Sequence, residues 1–156
     1  MRPTQPPVGL ALTRAARTIG RAFDETLAEA GGSLPAWLVL LAMKTRSGSQ
    51  RQLAEAVGIR EATLTHHLNA MEVAGLITRQ RDPANRRIHV VELTQAGEEM
   101  FGRLRDAAAA FDQRLRRGVS EEEVAGLRGL LARLAENAGA EVSGWPPWAG
   151  TSMPDN

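Results

Sequence analysis

At 156 residues, the chain is long enough for one domain with a hydrophobic core of its own. Its 19 basic and 18 acidic residues leave a formal net charge of +1, so the molecule as a whole does not advertise a polyanionic partner and its charge must be read by position. The absence of cysteine excludes a thiol redox switch, a cysteine-based zinc site and a disulfide framework. No apolar run is long enough to cross a bilayer and the N-terminus lacks an apolar signal core, which fits a cytoplasmic protein. Residues 1–9 contain three prolines and are expected to be disordered. From Leu10 to Ala30 a helix is predicted, because Leu12, Ala16, Ile19, Phe23, Leu27 and Ala30 recur at helical spacing, and Gly31-Gly32 ends it. Ser33 can cap the next helix, with Pro35 tolerated in its first turn. That helix, Leu34–Thr45, is apolar on most sides and should be buried.

Residues 50–94 carry the strongest pattern. Ser49 with Gln52 forms a capping-box signature, and Leu53, Ala54 and Val57 give the helix that follows one apolar face. Gly58 supplies a turn where a positive φ is easy, and Ile59 plugs the corner. A second helix then sets Leu64, Leu68 and Met71 on one side. Its other side carries Arg60, Thr63, His66, Asn69 and Ala70, short or polar side chains of the sort a helix in a DNA major groove needs. Leu76–Arg81 and Ile88–Leu93 read as two strands of a hairpin around the turn-rich segment Asp82 to Arg87. Between Arg79 and Arg87 there are four arginines against one aspartate, a basic tip suited to phosphates or a minor groove. Thr94 is a good N-cap for a long helix reaching about Arg117, with Met100, Leu104, Ala107, Ala108, Phe111 and Leu115 as its stripe. Gly118 breaks it, and Ser120 with Glu123 opens a last helix bearing Val124, Leu127, Leu130, Leu131 and Leu134. The tail 140–156, rich in Gly and Pro and holding Trp145 and Trp148, is expected to be flexible.

The ordered set Leu53-Ala54, Gly58-Ile59, Thr63-Leu64-Thr65, Gly75-Leu76-Ile77-Thr78-Arg79, Asp82-Pro83, Arg86-Arg87, Val91-Glu92-Leu93-Thr94 and Gly97 resembles the MarR (multiple-antibiotic-resistance regulator) family of winged-helix repressors. The resemblance implies a mostly α fold with a small antiparallel β-wing, in which a winged helix-turn-helix core is flanked by N- and C-terminal dimerisation helices. It implies one domain at 10–139, with the core at 34–93 and the dimerisation helices at 10–30 and 95–138. It also implies a homodimer, sequence-specific binding of double-stranded operator DNA, and release when a small aromatic or anionic effector binds between the dimerisation helices and the core. The apolar stripes of the end helices point the same way, because one small winged core cannot cover them all. At the wing the family pattern is Asp-x-Arg, the Asp holding the wing and the Arg entering the minor groove. Asn85 and Arg87 stand at those positions, and Asn can accept a hydrogen bond but cannot form the ion pair. His66 stands where relatives often carry Arg.

The candidate DNA contacts are therefore Arg60, Thr63, Thr65, His66, Asn69, Arg86 and Arg87, against the plainer reading of a solvated polar face. Arg17, Arg21 and Trp37 are candidates for the effector pocket, since Trp37 is the lone aromatic of an aliphatic helix. The plainer reading makes Trp37 ordinary core and pairs the arginines with Asp24 and Glu25. The three histidines raise a metal-responsive alternative, but His66 and His67 diverge on a helix and have no further ligand at i+3 or i+4. A winged helix that binds another protein is the other alternative. No phosphate loop, nucleophile elbow or paired-carboxylate motif suggests an enzyme, and no cofactor is expected.

Overall fold

A computed structural model describes residues 5–45 and 49–139. The chain runs α1 (Val8–Glu29), α2 (Leu34–Thr45), α3 (Gln50–Val57), α4 (Glu61–Val73), β1 (Ile77–Arg81), β2 (His89–Leu93), α5 (Gln95–Leu115) and α6 (Glu121–Asn137). The two strands form an antiparallel hairpin in which Ile77 faces Leu93 and Arg79 faces Val91. The fold is mostly α with a small β-wing. Residues 1–4, the start of the expected disordered leader, and the tail with Trp145 and Trp148 lie outside the described residues. Within the leader, α1 begins at Val8, two residues before the predicted Leu10, because Pro7 sits just ahead of the first turn, where a helix lacks amide partners anyway.

α2 is the axis of the core. Val39, Leu40 and Ala42 are fully buried, as its nearly continuous apolar sequence requires. Trp37 stacks on Phe101 of α5 with ring centroids 5.7 Å apart, and Phe23 of α1 meets Phe111 of α5 at 5.0 Å. These two aromatic contacts hold α5 against both N-terminal helices. Gly32 lets α5 come close, since a β-carbon there would stand 2.6 Å from a methyl of Leu104.

The helix-turn-helix follows its sequence signals. Ser49 Oγ accepts from the Gln52 amide at 3.4 Å and Gln52 Oε1 accepts from the Ser49 amide at 2.9 Å, completing the capping box. Gly58 ends α3 with φ 76°, in the left-handed region. Leu53, Leu64, Leu68 and Met71 then close α3 and α4 over the core. A single bridge between Ser49 and Val90 ties the start of α3 to the wing.

α6 differs from the rest. Its capping box forms as predicted, with Glu123 Oε2 accepting from the Ser120 amide at 2.8 Å. Yet it buries none of its residues, and Leu127 and Leu130 are about half exposed, at 52% and 50%. α1 likewise leaves Val8, Leu10 and Ile19 exposed. No single helix among the described residues is long and apolar enough to cross a membrane.

Candidate nucleic-acid interface

α4 is anchored on one side only. Leu64, Leu68 and Met71 face the core, so residues 62, 66, 69, 70 and 73 face outward by helical geometry, and all five are exposed. Thr63 is exposed at the edge of this face. Arg60 is not inside the helix but is its N-cap, with extended backbone and no side-chain cap bond. The first amides of α4 are therefore not capped by a side chain, and an uncapped helix start favours anions.

Thr65 belongs more to the motif than to its surface. Its hydroxyl donates to the Glu61 carbonyl at 2.9 Å and accepts from Gln50 Nε2 at 3.2 Å, which ties α4 to the start of α3. His67 is half buried and meets His66 edge-on, with ring centroids 5.7 Å apart. Among the described residues no group of three or more His, Cys, Asp and Glu side chains is arranged to hold a metal ion.

The wing turn is built by its own side chains. Asp82 Oδ1 accepts from the Ala84 amide at 2.7 Å, and Asn85 Oδ1 accepts from the Arg87 amide at 3.2 Å. Backbone bonds from the Asp82 amide to the Ile88 carbonyl and from the Ile88 amide to the Asn85 carbonyl, each 2.9 Å, close the loop. Asn85 thus organises the turn through a local amide bond and needs no ion pair. Arg81, Arg86 and Arg87 are exposed, and none of them makes an ion pair among the described residues.

Arg79 behaves differently from the other three arginines. Its guanidinium pairs with Glu72 through Nε, at 3.0 Å, and through Nη2, which also donates to Asn69 Oδ1 at 2.6 Å. It is thus not one of the free cations that a count of wing arginines suggests. The Arg79 hydrogen bonds hold the Glu72 carboxyl below its ordinary range, against the opposing effect of burial. Sequence reading missed this link between α4 and β1. The available signal was a Glu and an Arg flanking the tight Gly75 turn, close enough in sequence to meet once the chain reverses.

The proposed effector residues differ in exposure. Trp37 is 4% exposed and stacked on Phe101, so in this chain it offers almost no surface to a ligand. Arg17 and Arg21 are exposed on α1, and neither makes the considered pairs with Asp24 or Glu25.

Comparison with known proteins gives a consistent picture. The model of the MarR family matches residues 34–89. The transcriptional repressor CouR bound to a 23-mer DNA duplex is similar at 28% identity and a TM-score of 0.75, covering 83% of this chain and 92% of that one. A probable transcriptional regulator from Pseudomonas aeruginosa shares 28% identity at a TM-score of 0.71, over 81% of this chain and 96% of its own. CouR from Rhodococcus jostii RHA1 bound to p-coumaroyl-CoA aligns with 21% identity and a TM-score of 0.72, over 86% and 96% of the two chains, a likeness of fold.

Proposed function

We propose that the chain is a transcription regulator of the MarR family, whose model matches residues 34–89, and that it is a dimeric repressor binding a specific double-stranded operator. The observation that carries this is the outward face of α4. It holds Thr63, His66 and Asn69 with only alanines and Val73 between them, and beside it stands a wing whose Arg81, Arg86 and Arg87 have no ion-pair partner among the described residues. Small and polar side chains let a helix enter a major groove, and free cations beside it meet phosphates or the minor groove. The similar CouR, a transcriptional repressor bound to a DNA duplex, supports the DNA-binding reading.

Repression follows from occluding a promoter. The two-fold partner is a second copy of this chain, joined through α1, α5 and α6, because the exposed leucines of α6 and the exposed apolar residues of α1 require a cover. Two α4 helices then read two half-sites roughly 34 Å apart. Arg60, Thr63, His66 and Asn69 face the groove and Arg86 and Arg87 the adjoining backbone or minor groove, while Thr65 supports α4 from behind. A small aromatic or anionic effector shifts the dimer away from operator spacing by binding the DNA-incompetent state more tightly. Arg17 and Arg21 are its charged contacts in this reading, with Trp37 as packing behind them.

The experiment is selection of duplexes from a randomised pool by the purified protein, followed by affinity measurements on the selected sequence across a salt series. An enriched two-fold symmetric sequence with a steep negative salt dependence is expected. Enrichment of no sequence, with equal weak binding to all duplexes, would remove the repressor reading.

A further inference from the structure

Asn69 lies on the outward face of α4, one turn beyond His66, and its side-chain amide is not free to turn. Arg79 Nη2 donates to Asn69 Oδ1 at 2.6 Å. A guanidinium offers donors only, so the amide sense is fixed by chemistry: the oxygen faces Arg79 and the NH2 group faces away. Turning the amide over would set two donors against each other beside a positive charge. Glu72 accepts from Nε and from the same Nη2, and balances the charge of the guanidinium. The three side chains therefore form a chain of bonds from β1 to the groove face of α4.

Resting on the DNA-binding reading above, we propose that Arg79 is a positioning residue that makes Asn69 a hydrogen-bond donor to the major groove, so that the base under Asn69 in each half-site is guanine. An asparagine that reads adenine uses its oxygen and its NH2 together, accepting from N6 and donating to N7. Here the oxygen is engaged by a cation, and the charge-assisted bond polarises the amide so that its N–H groups become better donors. Guanine presents two acceptors, N7 and O6, at the matching edge, and cytosine presents only a donor. Arg79 acts through Asn69 and does not itself touch the base.

The test is duplex selection from a pool with randomised half-sites, run on the full chain, on Asn69→Asp and on Arg79→Met. Asp at position 69 can still accept from Arg79, but its outward oxygen only accepts. The unmodified protein is expected to prefer guanine over adenine about tenfold at one position of each half-site. Asn69→Asp should move that position to cytosine, and Arg79→Met should release the amide and bring the guanine-to-adenine ratio to within about twofold. Asn69 is exposed, so Asn69→Asp leaves the core intact, and the melting temperature of each variant is measured alongside. The proposal is overturned if no position changes its preference in Asn69→Asp, if the changed position reads adenine in the unmodified protein, or if Arg79→Met weakens all sequences equally. Failure of the unmodified protein to select any duplex is a different result, and it overturns the DNA-binding reading on which this one rests.

Discussion

Gly97, in the first turn of α5, lies against the carbonyl of Leu76, where a β-carbon on Gly97 would stand 2.0 Å from the carbonyl oxygen. The same carbonyl accepts from the Thr94 amide at 3.1 Å, and the Thr94 hydroxyl donates to the Gly75 carbonyl at 2.6 Å while capping the Gly97 amide at 3.1 Å. The start of α5 is thus bonded to the entry of the wing. Because α5 also packs on α1 and α2, this junction sets the wing relative to the rest of the molecule. Gly97→Ala should destabilise the protein by about 1–3 kcal/mol, the usual cost of forcing atoms into filled space. Gly102, in the same helix, has open space at its β-carbon, so Gly102→Ala should be neutral or stabilising by up to about 1 kcal/mol. Urea unfolding of both variants decides the matter, and equal effects would show that the Leu76 contact is unimportant.

Much of this was legible beforehand where the signal was local. The two capping boxes, the Gly58 turn, the apolar faces of α3 and α4 and the hairpin are set by residues within a few positions of each other. What was not legible depends on side chains that meet after the chain has folded back. Trp37 reads as a lone aromatic in its own helix, and its partner Phe101 comes from α5. Arg79 reads as one of four wing cations until Glu72 and Asn69 are seen beside it. Thr65 reads as a groove residue by polarity, but its hydroxyl is taken by Gln50 of α3.

The wing arginines should separate by salt dependence. Arg87 is exposed and has no ion-pair partner among the described residues, so Arg87→Ala should weaken binding to all duplexes and lower the salt slope by about 1. The charge of Arg79 is balanced by Glu72, so Arg79→Met should leave the slope nearly unchanged. A slope flattened as much by Arg79→Met as by Arg87→Ala would mean that Arg79 leaves Glu72 for a phosphate on binding.

Acid should loosen the recognition helix from the wing strand. The hydrogen bonds from Arg79 lower the folded-state pKa of the Glu72 carboxyl below its ordinary value of 4.5. A depressed carboxyl pKa means that the ionised form is favoured by folding, so its stabilising effect is present above pH 4.5 and is lost as pH falls through the lowered value. Melting temperatures of the unmodified protein and Glu72→Gln, followed from about pH 7 to pH 3, should differ most at neutral pH and converge at the acid end. A constant gap across that range would assign the difference to packing instead of charge.

Assembly is the most direct check on the outer helices. α6 buries none of its residues, and Leu127, Leu130 and Leu134 stay exposed along it. Its capping box and the first-turn run Glu121-Glu122-Glu123 stabilise the helix itself, but they do not give its apolar side anything to pack against. A second copy supplies that partner if α6 and the first half of α1 cross the interface. The unmodified protein should then scatter light as a dimer at micromolar concentration. Leu130→Asp should weaken the dimer at least tenfold, since burying a charge without a partner costs more than about 1.4 kcal/mol. Arg128→Ala, two positions before it and polar to begin with, should have a much smaller effect. A mass of one chain for the unmodified protein at that concentration would sink the dimer, and with it the two-half-site mode of binding.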